Sequence, residues 1–266
     1  MKPFETFEFN KNFGQNFISD KNLLNAIVSD SGISFNDNVL EIGTGAGTLT
    51  DAISARAKRV VSFEIDKKLT EYLTDKFATS PNVQVVFKDA LKEPIEEICA
   101  LFGDENFHII ANLPYYITTP LIFKFLEETR KVLSITVMVQ KEVAEKIVAR
   151  AGDKHYGITS AILQYYFTCK KTRIVSKKMF TPAPKVDSAV ITMRRKPDVP
   201  FDADFSGFVR KMFAMKRKTI VNNLSSAGFE KPKILAALAA ANVAETARAE
   251  TLDFGIIRQI FDEIIK

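Results

Sequence analysis

The chain's 266 residues, 46% hydrophobic and 26% charged, make an ordinary globular composition that suits one large domain with a small appendage. No run of about 18 apolar residues occurs, and the opening MKPFETFEFNKNFGQNF lacks the apolar centre of a signal peptide, so no membrane association is expected. Cys99 and Cys169 lack the paired spacing of a disulfide framework or a zinc site, which points to free thiols in a reducing cytoplasmic setting with no metal.

Short, nearly continuous apolar runs predict strands at 38–42, 59–65, 83–88, 107–112 and 134–140, the pattern of strands covered on both faces. Helical patterns separate them at 48–57, 67–78, 93–102, 120–128 and 141–150. This alternation predicts an α/β fold with a mostly parallel, doubly wound sheet. A further helix is expected at 157–167, then strands at 172–176 and 188–194. No helix separates those last two, so an antiparallel hairpin is expected to finish a seven-stranded sheet. Two prolines in Lys196-Pro197-Asp198-Val199-Pro200 mark a linker. Only helical patterns follow, at 205–213, 216–224, 232–241 and 254–265. The expected division is therefore 1–196 for the α/β domain and 197–266 for a small all-α domain.

The net charge is only +5, but it is unevenly spread. Nine Lys/Arg and one acid, Asp187, lie between Lys170 and Lys196; Arg210, Lys211, Lys216, Arg217 and Lys218 form a second cluster. Such one-signed clusters favour a polyanionic partner, because each neutralised phosphate releases condensed counterions.

In an open α/β sheet, ligands bind beyond the carboxyl ends of the strands. The first strand ends in Glu41-Ile42-Gly43-Thr44-Gly45-Ala46-Gly47, a turn tight enough to need glycine and to let backbone approach a ligand. The spacing is GxGxG, with Thr48 where a dinucleotide-binding motif would place its third glycine, and Glu41 has no role in that motif. The second strand ends in Glu64-Ile65-Asp66. Glu64 is the better candidate to accept both hydroxyls of a ribose, while Asp66 suits a helix cap. The third ends in Lys88-Asp89-Ala90, where Asp89 could accept from an exocyclic amine or cap the next helix. The fourth ends in Asn112-Leu113-Pro114-Tyr115. An exocyclic amine on a nucleobase is a poor nucleophile because its lone pair is delocalised. Hydrogen bonds from its two N–H groups to the Asn112 side-chain oxygen and a carbonyl near Leu113 would favour a pyramidal nitrogen. Pro114 would shape the turn and Tyr115 offer a ring for stacking; catalysis would then be positioning and electrostatics rather than base catalysis.

The glycine turn, Glu64 and Asp89 in this order resemble class I S-adenosylmethionine-dependent methyltransferases. The resemblance implies that Gly43, Gly45 and Gly47 pass beneath the methionine moiety, that Glu64 holds the ribose, and that Asp89 with Ala90 holds the adenine. The sequence is further similar, over nearly its whole length, to the KsgA (RsmA) family of ribosomal small-subunit adenine dimethyltransferases. The matching segments are Asn12-Phe13-Gly14-Gln15-Asn16-Phe17-Ile18, the Asn112 turn, Gln140-Lys141-Glu142-Val143, the run from Phe180 to Val190, and Phe213-Ala214-Met215-Lys216-Arg217-Lys218-Thr219. The last departs from the family pattern by a Lys for an Arg.

By that resemblance Asn16, the Ile18 backbone and Asn112 contact the cofactor, and Phe180 stacks on a flipped adenine opposite Tyr115. Lys185, Arg210, Lys216, Arg217 and Lys218 meet the RNA backbone. The substrate implied is 16S rRNA in a small-subunit precursor, with a monomeric enzyme expected. Leu113 rather than a second proline fits the RNA dimethylases better than DNA amino-methyltransferases. Thr119-Pro120 and Val186-Asp187-Ser188 fit the KsgA branch better than the related Erm group, which modifies large-subunit rRNA. A ribosome-assembly binding factor is the alternative from outside enzymology. His108, Met138 and Met179 read as packing residues.

Overall fold

A computed structural model describes residues 17–103 and 105–265. The main sheet is built from the apolar runs seen in the sequence. In chain order the elements of its first half are β1 (Phe17–Ile18), α1 (Lys21–Ser31), β2 (Asn38–Ile42), α2 (Thr48–Ser54), β3 (Arg59–Phe63), α3 (Thr70–Phe77), β4 (Val83–Val86), α4 (Ile95–Ala100), β5 (Phe107–Asn112), α5 (Tyr115–Glu127) and β6 (Val132–Gln140). Then come α6 (Lys141–Val148), α7 (Ile158–Tyr166), β7 (Phe167–Val175), β8 (Phe180–Thr181) and β9 (Ser188–Arg195). Helices α8 (Ala203–Met212), α9 (Ile220–Ser226), α10 (Lys231–Ala240) and α11 (Phe254–Ile265) complete the chain.

The seven strands run in the order β4-β3-β2-β5-β6-β9-β7, and β1 pairs antiparallel with β8 in a separate two-stranded ladder. Pairings β2–β3, β2–β5, β3–β4 and β5–β6 are parallel and β6–β9 is antiparallel. All five residues of β2 are buried, as a central strand covered on both faces requires. From β2 the chain winds outward to β3 and β4 on one side and later to β5 and β6 on the other. The gap beyond the carboxyl ends of β2 and β5 is therefore the topological switch point, where open α/β sheets bind ligands.

The elements differ from the sequence expectations where local chemistry intervenes. Helix α5 starts at Tyr115, directly after Pro114, and runs through Pro120, which was expected at its first position. Helix α9 starts at Ile220 rather than near 216. The Thr219 hydroxyl accepts the Asn222 N–H at 3.3 Å and caps it there, so the basic run Lys216–Lys218 lies in a turn before the helix. Strand β7 begins at Phe167, five residues before the expected start, as an edge strand buried only at its two ends and with too few apolar residues to show as a run.

The chain forms two compact units: Met1–Ala144 with Lys170–Arg195, and Glu145–Cys169 with Lys196–Lys266. This differs from a single cut at 196, because the segment containing α7 clusters with the C-terminal helices. Tyr166 of α7 shows why: its hydroxyl meets the Asp202 carbonyl at 3.0 Å and the Ser206 hydroxyl at 3.1 Å. In the same unit Tyr165, Phe205, Phe208 and Phe261 form an aromatic core with ring centroids 4.5–5.5 Å apart. Among the described residues no helix is long and apolar enough to cross a membrane, and no group of three or more acidic, His or Cys side chains could hold a metal.

Candidate active site

Four strand ends of the first unit converge on one cavity of about 220 Å³. Its walls include the glycine turn after β2, Glu64 and Ile65 after β3, Asp89 and Ala90 after β4, and Asn112 to Pro114 after β5.

The glycine turn is bound from several sides. The Gly43 and Thr44 N–H groups both reach the Phe63 carbonyl, at 2.8 and 3.2 Å, and the Gly47 N–H donates to the Thr44 carbonyl at 2.8 Å. Gly45 has φ +54°, and a Cβ there would sit 2.8 Å from the Phe17 ring. Gly47 is different: it does not line the cavity. With φ +71°, it begins α2, and a Cβ would lie 2.8 Å from both the Phe77 ring and the Lys76 chain. Close packing against α3 is thus what requires glycine at this position.

Glu64 is 2% exposed and joins the turn to its neighbouring strand. One carboxyl oxygen accepts the Gly45 N–H at 2.7 Å and the other the Asp66 N–H at 2.9 Å. Burial raises its pKa above the usual carboxylate value, and these backbone donors pull it back down. Asp66 caps the 3-10 turn after it by accepting the Lys68 N–H at 3.0 Å, the cap expected of it. Asp89 borders the cavity, and its Oδ1 accepts the Leu91 N–H at 3.0 Å in the turn that follows; the next helix, α4, has Pro94 at its N-cap, so Asp89 is not the helix cap it could have been. Ile18, 2% exposed, also lines the cavity, with its carbonyl accepting the Thr48 hydroxyl at 3.0 Å. Asn16 lies outside the described residues.

At the β5 end, Asn112 is half-buried and Leu113 is buried at 2% exposed. Both line the cavity with Pro114. Tyr115 does not line it; its hydroxyl lies 2.8 Å from the Ser188 hydroxyl. At this end the cavity is bordered instead by Tyr116, 68% exposed, which the sequence reading passed over. Ile65, 46% exposed and directly after Glu64, was also missed; an apolar residue following a strand-end acid is the signal that could have found it. Phe180, which the resemblance makes a stacking residue, does not stand open to solvent. It is 4% exposed, in register with Ile18 through the β1–β8 pair, and packed in the apolar cluster of Leu24, Val28, Met138 and Val190. The hydrophobic gain from burying a phenyl ring outweighs display to solvent.

Lys185 is exposed in the first unit, and Arg210, Lys216, Arg217 and Lys218 are exposed in the second. The turn carrying Lys216 to Lys218 is held by Asn223, which is 2% exposed. Its amide accepts the Met215 N–H at 3.0 Å and donates to the Met215 carbonyl at 3.2 Å. His108 is a buried core histidine. Its Nδ1 lies 2.7 Å from the Ser134 hydroxyl and its Nε2 3.6 Å from Asp37, and burial lowers its pKa. Met138 is buried as read, whereas Met179 is 36% exposed.

These residues fit S-adenosylmethionine. The cavity offers a backbone cradle in which a Cβ at Gly45 has no room, a buried carboxylate for a diol, and a carboxylate beside apolar walls for an adenine. The sequence matches the family described as ribosomal RNA adenine dimethylase over residues 6–266. It is 42% identical over 257 residues to the ribosomal RNA small subunit methyltransferase A of Lysinibacillus sphaericus (strain C3-41), covering 92% of this chain and 87% of that protein. The enzyme of the same name from Bacillus mycoides (strain KBAB4) is 43% identical over 237 residues, covering 86% and 81%. Among solved structures, a dimethyladenosine transferase from Plasmodium falciparum superposes with a TM-score of 0.79 at 25% identity, covering 93% of this chain and 96% of that one. The 23S rRNA methyltransferase ErmE superposes at 0.75 and 26%, covering 94% and 100%. The chain belongs to the ribosomal RNA adenine dimethylase family and is an S-adenosylmethionine-dependent methyltransferase.

Proposed function

We propose that this enzyme dimethylates N6 of two adjacent adenosines in the 3′-terminal hairpin of 16S rRNA, acting on a late small-subunit precursor as a cytoplasmic monomer. The observation that carries the chemical part is the meeting of the glycine turn and the Asn112–Pro114 turn on one cavity at the switch point of the sheet. The choice of subunit rests on the 42–43% identity to proteins named for the small subunit, against 26% to the large-subunit enzyme ErmE.

In this reading Glu64 holds the ribose of S-adenosylmethionine, Asp89 its adenine amine, and the backbone of the glycine turn its amino-acid end. When bound, this cofactor supplies an electrophilic methyl group. The protein's own task is to present a nitrogen to it. The Asn112 side-chain oxygen and the Leu113 carbonyl accept the two N–H bonds of the target amine, which draws the nitrogen toward a pyramidal form and concentrates its lone pair. The methylated amine is acidic and loses its proton without a dedicated base. The target leaves its stack at a cost of a few kcal/mol, and an exposed aromatic such as Tyr116 returns part of that by stacking. The basic turn at Lys216 to Lys218 supplies phosphate contacts that orient the RNA without reading its sequence.

The test is methyl transfer from labelled S-adenosylmethionine to isolated ribosomal subunits from a strain lacking the gene, followed by nucleoside analysis. N6,N6-dimethyladenosine confined to small-subunit rRNA supports the proposal. Label in large-subunit rRNA moves the enzyme to the Erm branch. Binding to precursor subunits without any label would make it an assembly factor.

A further inference from the structure

Glu41 takes no part in the chemistry above. It lies in the central strand β2, two residues before Gly43, and is fully buried. Every residue of that strand is buried, so an apolar side chain would fill the position without the desolvation cost of a carboxyl group.

The carboxyl ends a relay of hydroxyls. Its Oε2 accepts the Thr50 O–H from α2 at 2.6 Å and the Ser62 O–H from β3 at 2.7 Å. A hydroxyl has one hydrogen to give. Ser62 gives its hydrogen to Glu41, so the 2.6 Å contact between Ser62 and Thr44 is donated by Thr44. The acceptor at the end thereby fixes the direction of the chain Thr44 to Ser62 to Glu41. Thr44 is the residue between Gly43 and Gly45, and the relay is a third anchor on it beside its N–H and its carbonyl. Glu64 holds the next residue through the Gly45 N–H. The turn is thus tied by one buried acid through its side chain and by another through its backbone.

Burial pushes the Glu41 carboxyl up to about 8, with the neighbouring acids Glu64 and Asp51 adding to the rise and the Thr50 and Ser62 hydroxyls opposing it. Its Oε1 has no hydrogen-bond partner among the described residues.

We propose that Glu41 is a positioning residue for the cofactor. As terminal acceptor of the Thr44–Ser62 relay, it holds the turn at residues 43–45 in the shape that receives the amino-acid end of S-adenosylmethionine. This rests on the reading of the cavity as the cofactor site, and the experiment separates the two. S-adenosylmethionine binding is measured calorimetrically for the wild type, E41L, E41Q and T44V, alongside melting temperature and steady-state kinetics. Wild-type binding establishes the cofactor reading by itself; its absence removes that reading and this proposal together. Given wild-type binding, E41L and T44V are expected to weaken it about tenfold, the scale of one well-placed buried hydrogen bond, while E41Q, which keeps an oxygen acceptor, stays within about threefold. KM for the cofactor rises in step, and kcat at saturating cofactor changes by less than about twofold. T44V keeps the shape of Thr44 and is the deciding variant should E41L fail to fold. Wild-type affinity in T44V overturns the proposal, and so does an E41Q loss as large as that of E41L.

Discussion

The Tyr115 and Ser188 hydroxyls meet at 2.8 Å across 73 residues of sequence, joining the first turn of the helix after Asn112 to the start of β9. The same junction carries Asp187, whose carbonyl accepts the Lys141 N–H at 3.0 Å and whose carboxylate accepts the Lys177 N–H at 2.9 Å. The loop between β7 and β9 is thus tied to the helix that follows the Asn112 turn and to the start of α6. Replacing Ser188 by Ala should lower kcat/KM for the RNA about fivefold, the kinetic equivalent of about 1 kcal/mol, with cofactor affinity unchanged. Y115F should do the same, and a double-mutant cycle should show the two losses to be non-additive. Additive losses would mean that the hydroxyls work separately.

Asn112 is the side chain on which the proposed chemistry turns. Asn112→Ala should reduce kcat on the order of 10²-fold, the scale of removing one preorganised polar group at a reacting centre. Cofactor affinity should fall by far less. Single-turnover measurements at saturating cofactor check this, and a loss confined to cofactor binding would move Asn112 out of the catalytic step.

Phe180 separates a core role from a stacking role. Truncation to Ala in the cluster with Ile18, Leu24 and Met138 should cost about 3–5 kcal/mol of stability, while Phe180→Leu should keep most of it. Denaturant titration measures the stability, and methyl transfer by the Leu variant measures the chemistry. A stable Leu variant with sharply reduced transfer would show that the ring leaves its pocket to stack on the base.

Glu41 makes stability depend on pH with a definite sign. Its folded value near 8 lies above the ordinary 4.5, so between these the native state binds the extra proton and the unfolded state does not. The stability it confers is full below about 4.5 and declines through the window up to about 8, by at most ~1.4 kcal/mol per pH unit. Comparing wild type with E41Q across pH 5 to 8 by chemical denaturation isolates this group from His108 and Glu64. A difference that does not grow with pH would place the Glu41 carboxyl at an ordinary value.

The basic turn of the helical unit should govern salt dependence. Neutralising Lys216, Arg217 and Lys218 to Gln should weaken RNA binding and reduce the slope of log affinity against log salt by about 0.7–0.9 for each phosphate no longer neutralised. Asn223→Ala removes no charge but frees the Met215 backbone, so it should weaken binding with little change in slope. Filter binding at several salt concentrations distinguishes the two effects.

The strand–helix alternation, the glycine turn, Glu64, Asp89 and the Asn112 turn were all legible in the residues, because each belongs to a local pattern: apolar period, strand-end acid, turn chemistry. The bounds of β2 and β5 follow from short apolar runs ended by polar residues, and the division of work between Glu64 and Asp66 follows from their positions two residues apart. What stayed hidden depends on contacts between distant segments. The sequence does not say that Phe180 would pair with Ile18 and sink into the core, or that Tyr116 rather than Tyr115 would line the cavity. Nor does it say that Gly47 serves helix packing, since the clash that forbids a side chain there comes from Phe77, thirty residues away. Glu41 makes the same point: its spacing marked it as unusual, but only the approach of Ser62 and Thr50 shows what it holds. Local chemistry in the chain determined which groups stand at the strand ends; burial and hydrogen-bond satisfaction, which are properties of the packed whole, decided which of them face the cavity.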